Sequence, residues 1–318
     1  MGIRGSSSQR PCRFSRQLSP VPDIRPARIR KAVIPAAGLG IRMLPVTKVL
    51  PKEMMPLGNK PLIQYAVEEA AASGIEEVVL VTATRKSALE CYFRRDAELE
   101  SLLEERGQDR ELQCLRALSS LVRILTVHQP APRGLGDALL CARTAIGDEP
   151  FALILPDAIM DAPQPVIAQL AAAFRHRPGA YIATRSVAPR DVPRFGMLAV
   201  APLNDSSRPD GALRVLSVVE KPKPEDAPSH YGVFGRYLLT PEIFDFLDSA
   251  EQDENGEVQL SGALALYCRK NPVYALCFEG RHFDAGSRFG YLQAALEFAL
   301  KDPELGPAVR NCLAHHTN

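Results

Sequence analysis

From Lys31 onward, short apolar runs alternate with amphipathic segments, and this alternation restricts the possible folds more than any other feature of the sequence. The runs Lys31–Ala37, Glu77–Ala83 and Phe151–Leu155 predict strands, and the last is apolar throughout, as in a strand buried on both faces. The segment Leu62–Ser73 predicts a helix between the first two. Strand, helix and strand in this order form βαβ units. We therefore predict an α/β fold: a Rossmann-like mixed, mostly parallel sheet flanked by helices.

The second half of the sequence is richer in predicted strands. Its apolar runs predict strands at Ala180–Val187, Gly196–Val200, Leu213–Val219 and Gly232–Leu238. Helical periodicity predicts helices at Pro241–Asp248, Gln259–Arg269, Gly290–Leu300 and Pro303–Leu313. We expect this half to form a mixed-sheet region that faces the first half.

Charge balance, the length of apolar runs and the spacing of cysteines exclude several classes of partner and site. The 38 Lys and Arg residues nearly equal the 37 Asp and Glu residues, so no global field attracts nucleic acid or an anionic membrane. No run approaches the roughly 18 apolar residues that a membrane span needs. The seven cysteines are scattered without a CxxC pair, which argues against a zinc site and against a disulfide framework. We expect a cytoplasmic protein with no nucleic-acid or membrane partner.

The first thirty residues differ in composition from the rest, with three consecutive serines, several prolines and seven arginines. Such a segment predicts a disordered basic extension over residues 1–30. The main domain is predicted at residues 31–301, followed by a C-terminal helix or tail at residues 302–318.

A glycine-containing loop with several cations follows the first predicted strand. Gly38 and Gly40 let the backbone approach a phosphate, and Arg42, Lys48 and Lys52 supply positive charge. The loop lacks the Gly-Lys-Ser/Thr of a Walker A motif, and Met stands where a full GxGxxG fingerprint needs its last glycine. These differences argue against kinases, ATPases and dehydrogenases. On its glycines alone, the loop is better explained as a plain strand-to-helix turn.

Residues 31–65, KAVIPAAGLGIRMLPVTKVLPKEMMPLGNKPLIQY, closely resemble the opening motif of bacterial UTP–glucose-1-phosphate uridylyltransferases, a branch of the sugar-phosphate nucleotidyltransferases. The resemblance continues in order through Arg133–Ala138, Leu155–Asp157, Val219–Pro224, Val233–Tyr237 and Phe283–Gly286. It covers about Lys31 to Ala299. It implies a fold of nucleotide-diphospho-sugar transferase type, a nucleotidyltransferase domain over residues 31–301, and an oligomer, either a dimer or a tetramer.

The resemblance also implies the reaction and the residues that perform it. UMP would pass from UTP to glucose 1-phosphate with Mg²⁺ as cofactor, giving UDP-glucose and pyrophosphate. The residues expected to bind the nucleoside are Ala37, Gly38, Glu53, Gln129 and Gly134. Those expected to bind phosphates during catalysis are Arg42, Lys52 and Lys221. The sugar would contact Gly196, Glu220 and Lys221, and the metal would be held by Asp157 and Asp284.

The sequence departs from the family pattern at several positions. Ile41 stands where the family usually has Thr, and His230 replaces an amide expected near the sugar hydroxyls. Gly256 and Gly262 replace two carboxylates. Next to Gly262, Ser261 is a candidate cap for the following helix. These departures leave the sugar and nucleotide preference open.

Two alternative functions therefore remain at this stage. One is a related nucleotidyltransferase that uses dTTP or another sugar 1-phosphate, since uracil and thymine differ by one methyl group, worth only about 1–3 kcal/mol of discrimination. The other is a catalytically weak paralogue that binds UDP-glucose and regulates a related enzyme. The retained Arg42, Lys52, Asp157, Lys221 and Asp284 argue against the second alternative.

Overall fold

The computed structural model describes residues 28–203 and 211–316. Its strands are β1 Lys31–Pro35, β2 Pro56–Leu57, β3 Lys60–Pro61, β4 Glu77–Thr82, β5 Arg123–His128, β6 Phe151–Ile154, β7 Ala158–Asp161, β8 Ala180–Ser186, β9 Met197–Pro202, β10 Leu213–Val219, β11 Tyr231–Leu239, β12 Val273–Cys277 and β13 Arg281–Asp284. Its α-helices are α1 Leu62–Ala72, α2 Ser87–Phe93, α3 Ala97–Glu105, α4 Asp109–Ser119, α5 Gly134–Ile146, α6 Val166–His176, α7 Ile243–Asp248, α8 Leu260–Tyr267, α9 Arg288–Lys301 and α10 Gly306–His316. Among the described helices, none combines the length and the apolar character needed to cross a membrane.

The main sheet of the described chain has nine strands, in the order β5-β4-β1-β6-β11-β8-β12-β10-β9. The first four are parallel neighbours, as the βαβ pattern predicts. Beyond them the sheet is mixed: β11 is antiparallel to β6 and β8, β12 is parallel to β8, and β10 is antiparallel to β12 and β9. The predicted α/β class is confirmed, with the parallel pairing concentrated in the first half of the chain.

Helices cover both faces of this sheet, and strand β1 shows why. Its residues alternate between the faces, so Ala32 and Ile34 join one apolar core while Val33 joins the other. The first core is closed mainly by α1, α2 and α6, and the second mainly by α5, α7 and α8. In the second core the rings of Phe151 and Phe244 stack with centroids 5.5 Å apart.

A third, smaller core anchors the loop that follows β1. Met43 and Met55 of the loop pack in one buried cluster with Ile159 of β7 and Phe283 of β13. Strands β7 and β13 pair with each other outside the main sheet, with Ala158 opposite Asp284. The loop is therefore fixed against the short sheet that carries two of the predicted site acids.

Ile29 and Arg30, which the sequence assigns to the end of the basic extension, contact the folded domain. Ile29 is buried in the first core, and the backbone carbonyl of Arg30 accepts hydrogen bonds from the amides of Glu76 and Glu77. Arg30 Nε also lies 3.0 Å from Glu76 Oε2. Ile29 is a single apolar residue between two arginines, so composition alone did not indicate that its side chain is buried. Residues 1–27 of the predicted extension lie outside the described residues, so that part remains a prediction.

Two helical glycines in different surroundings give a paired test of this packing. A Cβ on Gly136 of α5 would lie 2.7 Å from the carbonyl oxygen of Val258, which is backbone and cannot move away easily. A Cβ on Gly262 of α8 would meet nothing within 4 Å. We expect Gly136→Ala to destabilise the protein by about 1–3 kcal/mol through overpacking. We expect Gly262→Ala to stabilise it by about 0.5–1 kcal/mol through helix propensity.

Urea unfolding of the two variants beside the wild type measures both free energies. Equal effects of the two substitutions would contradict the close approach of α5 to Val258.

Candidate active site

The loop after β1 is shaped by short turns and by contacts to its own backbone. Gly40 has φ of 68°, in the left-handed region that glycine adopts without strain. Its carbonyl accepts a hydrogen bond of 2.8 Å from Thr47 Oγ1. Three 3₁₀ turns follow, and the last, Lys52–Met54, delivers Lys52 and Glu53 toward the cleft. The loop thus turns back on itself and presents its cations at the ends of the parallel strands.

A cavity of about 500 Å³ opens beside this loop. All of the residues predicted to bind the nucleoside line it: Ala37, Gly38, Glu53, Gln129 and Gly134. Gln129 follows β5, and its amide nitrogen donates to the carbonyl of Gly134 (3.1 Å) and to Asp137 Oδ2 (2.7 Å). These two bonds fix the orientation of the Gln129 amide at the cavity wall.

A buried ion pair lies under the floor of this cavity. Glu53 is 1% exposed, and its Oε2 accepts a hydrogen bond of 2.8 Å from Lys86 Nζ. The same ammonium donates to the carbonyl of Ala36 at 2.6 Å. Burial raises the pKa of Glu53 and lowers the pKa of Lys86. Lys86 therefore connects Ala36, at the start of the loop, to Glu53, near its end.

The charged groups predicted for catalysis and for metal binding come together at one point. Lys52 Nζ lies 2.6 Å from Asp157 Oδ2, and Arg42 lies 3.9 Å from Asp157 Oδ2 and 3.4 Å from Asp284 Oδ2. Burial alone would raise the pKa of Asp157, but the positive charges of Lys52 and Arg42 outweigh it and the pKa is lowered. Burial would likewise lower the pKa of Lys52, but Asp157 and Glu53 raise it overall. Both shifts keep Lys52 and Asp157 charged at neutral pH.

The pairing of β7 with β13 brings the two acids together across 127 residues of sequence. Asp157 directly precedes β7 and Asp284 ends β13. The amide of Ala285 donates to the carbonyl of Asp157 at 2.9 Å, which joins the two segments at the site itself. Their closeness is therefore fixed by backbone hydrogen bonds.

A second cavity of about 640 Å³ adjoins the first. The three residues predicted to bind the sugar, Gly196, Glu220 and Lys221, line it. Lys221 Nζ lies 3.2 Å from Glu220 Oε1, and Lys221 has φ of 42°, unusual for a residue with a side chain. The two cavities share the lining residues Arg42, Leu135, Leu155, Asp157 and Glu257. The charged cluster therefore stands between a nucleoside-sized space and a second polar space.

Comparison with known proteins accounts for this arrangement. The Nucleotidyl transferase family model matches residues 31–300. The chain belongs to the nucleotidyl transferase family. One relative, UTP–glucose-1-phosphate uridylyltransferase YngB of Bacillus subtilis (strain 168), is 43% identical over 278 residues, which cover 87% of this chain and 92% of the relative. The resemblance found in the sequence is thus confirmed.

Solved structures agree with this family assignment. UDP-glucose pyrophosphorylase complexed with UDP-glucose matches with a TM-score of 0.78 at 36% identity, over 86% of this chain and all of the other. UTP-bound UGPase from Acinetobacter baumannii matches with a TM-score of 0.79 at 35% identity, over 90% of this chain and 99% of the other. The similarity therefore extends over at least 86% of this chain and over nearly the whole length of each solved structure.

This nucleotidyl transferase also places at the cleft two residues that the sequence did not single out. Arg194 lies two residues before Gly196, lines the second cavity and binds Asp284 Oδ2 at 3.3 Å. His282 lines the same cavity, and burial together with the charge of Arg236 lowers its pKa to about 4, so it is neutral at pH 7. Neither residue had a distinctive signal in the sequence, because a surface arginine and a lone histidine are common.

The positions that depart from the family pattern fall in different surroundings. Ile41 lines the nucleoside cavity and is 66% exposed, so its methyl groups face the space where a hydroxyl was expected. His230 lies outside the residues lining either cavity, with its ring against that of Tyr231 at 4.2 Å. The capping role predicted for Ser261 is wrong: α8 begins at Leu260, its N-cap is Gln259, and Ser261 lies within the first turn.

Removing Lys86 should destabilise this nucleotidyl transferase strongly. Lys86→Met leaves the buried carboxylate of Glu53 without its hydrogen-bonded ion-pair partner, which costs about 3–5 kcal/mol at pH 7. The matched change Lys301→Met removes an exposed ammonium paired with Asp161 and should cost about 1 kcal/mol or less.

The pH dependence of this loss tests its cause. Because the pKa of Glu53 is raised in the folded state, stability lost at pH 7 returns as the pH falls and the carboxyl group takes up a proton. In urea unfolding, the loss of unfolding free energy caused by Lys86→Met should thus be smaller at pH 5 than at pH 7. A deficit that is equal at both pH values would show that charge burial is not its origin.

Proposed function

We propose that the chain is a UTP–glucose-1-phosphate uridylyltransferase, an enzyme that makes UDP-glucose and pyrophosphate. The observation that carries this proposal is the meeting of the two cavities at Arg42 and Asp157. One cavity suits a nucleoside, the other suits a sugar phosphate, and the charges between them suit the phosphates. The activity named for the relatives, and the UDP-glucose and UTP bound in the solved neighbours, support the same assignment.

We propose that the first cavity binds uridine through Ala37, Gly38, Glu53, Gln129 and Gly134. Uracil offers one N–H between two carbonyl oxygens, so its pocket needs one acceptor flanked by donors. The amide nitrogen of Gln129 is already used by Asp137 and by the Gly134 carbonyl, which leaves its oxygen as the acceptor for the uracil N–H. Backbone amides of the glycine loop would supply donors.

The positive charges would act on the phosphates. The planar guanidinium of Arg42 can hold two oxygens of the β- and γ-phosphates and stabilise the departing pyrophosphate. Lys52, paired with Asp157 at the junction of the cavities, is assigned to the α-phosphate, where negative charge builds in the transition state. In the second cavity, Lys221 is assigned to the 1-phosphate, while Glu220 and Gly196 contact the sugar.

The reaction would need no covalent intermediate. Glucose 1-phosphate carries an ionised oxygen near neutral pH, so in-line placement against the α-phosphorus is sufficient and no general base is required. We accordingly assign no nucleophile to a serine, cysteine or histidine. The chain's own contribution is to hold the two substrates in line on opposite sides of the charged cluster.

We propose that Asp157 and Asp284 hold a magnesium ion. Two carboxylates on either side of the Arg42 guanidinium fit this ion, which usually takes one or two carboxylates together with phosphate oxygens and water. In the described ranges no group of three or more His, Cys, Asp or Glu side chains could hold a metal, which leaves the other positions to substrate and water. When bound, the ion would neutralise phosphate charge and polarise a phosphoryl oxygen.

We also propose that the protein acts in the cytoplasm as a homo-oligomer, a dimer or a tetramer. Helix α9 exposes large apolar side chains, with Phe289 76% and Leu292 65% exposed, which supports a contact between subunits. Light scattering coupled to size-exclusion chromatography tests this, and a monomeric mass at micromolar concentration would reject it.

The decisive experiment follows pyrophosphate release from UTP and glucose 1-phosphate with magnesium, for the wild type, Asp157→Asn and Asp161→Asn. Asp157→Asn should lower the rate by about 100-fold or more, because it removes a carboxylate that is proposed to hold the magnesium ion and that pairs with Lys52. Asp161 ends strand β7, which Asp157 directly precedes, but it pairs with Lys301 on the surface, so Asp161→Asn should behave as the wild type.

Parallel reactions with dTTP and with other sugar 1-phosphates separate the alternatives. Faster release with dTTP than with UTP would assign the thymidylyl activity. No release with any nucleotide, combined with tight binding of UDP-glucose, would reject the proposal and favour the regulatory paralogue.

A methyl group at Gly38 should impair nucleotide binding without affecting the fold. A Cβ built on Gly38 meets nothing within 4 Å, and the residue lines the cavity proposed for uridine. Gly38→Ala should therefore unfold at the same urea concentration as the wild type, within experimental error. Its KM for UTP should rise about tenfold, since overpacking a site costs about 1–3 kcal/mol. An unchanged KM for UTP would mean that the base lies elsewhere.

A further inference from the structure

The segment Val233–Tyr237 carries part of the family resemblance, yet none of its residues has a role in the chemistry above. It lies in β11, whose register with β8 shifts between Val233 and Tyr237. At the irregularity Gly235 has φ of 70°, and a Cβ there would lie 3.0 Å from Ala158 Cβ and 3.1 Å from Leu155 Cβ. Only glycine lets β11 approach the segment 155–158 this closely, and the next residue, Arg236, is thereby directed at that segment.

The guanidinium of Arg236 binds the backbone on both sides of Asp157. Its Nη1 donates to the carbonyl of Leu155 at 2.8 Å, and its Nη2 donates to the carbonyl of Ala158 at 2.8 Å. Arg236 is 2% exposed, so water does not compete for these bonds. The planar fork has one fixed geometry, and it therefore fixes the separation of the two carbonyls and the turn between them.

A second residue holds the guanidinium itself. Arg236 Nε and Nη2 lie 3.0 and 2.8 Å from Glu69 Oε2, and Glu69 Oε1 accepts a hydrogen bond from the amide of Ile167 at 3.2 Å. Glu69 belongs to α1 and Ile167 to α6. A buried ion pair of this kind often adds little net stability compared with apolar residues of the same size, so its worth lies in the geometry it imposes.

Arg236 and Glu69 together form a clamp on the segment 155–158, and this clamp also affects the second acid, Asp284. Ala158, held through its carbonyl, is the register partner of Asp284 in the β7–β13 pair. The amide of Ala285 binds the carbonyl of Asp157 at 2.9 Å. Displacement of the segment 155–158 would thus move both Asp157 and Asp284 relative to the cations of the loop.

We propose that Arg236 is a positioning residue: oriented by Glu69, it holds the turn at Leu155–Ala158 so that Asp157 and Asp284 face the reacting phosphates. This inference rests on the proposed function, because it assigns the clamp to that reaction. It concerns geometry rather than substrate contact, since Arg236 does not line the cavity that holds Lys52 or the one that holds Lys221.

The first test is Arg236→Lys, which keeps the charge but loses the fork. We expect kcat to fall about 10- to 100-fold and the magnesium concentration for half-maximal rate to rise, as happens when the partners that orient metal ligands are removed. The affinity for UTP measured by calorimetry without metal should stay within about twofold, because the residues proposed to bind the base, such as Gly38 and Gln129, lie outside the segment 155–158. Arg143→Lys, at an exposed pair with Asp245, is the control and should change none of these values.

Hydrogen exchange provides a readout that does not depend on activity. In Arg236→Lys the amides of Ala158 and Ala285, which close the turn and join it to β13, should exchange faster, while the amide of Ala36 should not change. If the wild type were inactive but this exchange pattern appeared, the clamp would stand and the proposed function would fall.

A double variant separates positioning from stability. Glu69→Leu combined with Arg236→Met removes both charges together, so it leaves no unpaired buried charge and should melt at a higher temperature than Arg236→Met alone. Its kcat should remain about tenfold or more below the wild type, because nothing then holds the two carbonyls. Recovery of wild-type kcat and magnesium dependence in the double variant would overturn the proposal, as would a parallel loss of UTP affinity and kcat in Arg236→Lys.

Discussion

The pair of opposite charges formed by Lys52 and Asp157, 2.6 Å apart at the junction of the two cavities, is the contact on which the rest of the cleft depends. Either charge alone would be expensive to bury, so each requires the other to remain in place. Lys52 arrives on the loop after β1, and Asp157 arrives at the end of the buried strand β6. Their attraction closes the loop over the carboxyl ends of the parallel strands, and the small core around Met43, Met55 and Phe283 fixes it there.

The strands and helices that carry the site could be predicted because local sequence determines them. The apolar run at Phe151–Leu155 gave β6 within one residue, and the segment at Leu62–Ser73 gave α1 within one residue. The site residues could be predicted only through the family resemblance, since Gln129 or Glu220 alone looks like any surface side chain. The structure then brings Ala37, Gly38, Glu53, Gln129 and Gly134 to one cavity, although they come from segments that are distant in the sequence.

What the sequence could not provide are the contacts that depend on tertiary pairing. Strands β7 and β13 are four residues each, too short for a periodic signal, and their pairing is what joins Asp157 to Asp284. The proximity of Arg194 and His282 to the cleft has the same origin. The burial of Ile29 is a further example, because this side chain lies among arginines that resemble a solvated tail. In each case the deciding interaction joins segments that are far apart in the sequence.

Apart from Lys52, the cations around the cleft divide into two classes by burial, and this division shapes the proposed chemistry. Lys86 and Arg236 are buried, and each is bound to one carboxylate and to backbone carbonyls, so neither can change partner without breaking several bonds at once. Arg42, Arg194 and Lys221 are more than half exposed, and their carboxylate contacts are longer, between 3.2 and 3.9 Å. Exposed pairs are weak, so these cations can exchange a carboxylate for a substrate phosphate at little cost. Under the proposed function, the buried set would keep the acids in position while the exposed set would follow the phosphates through the reaction.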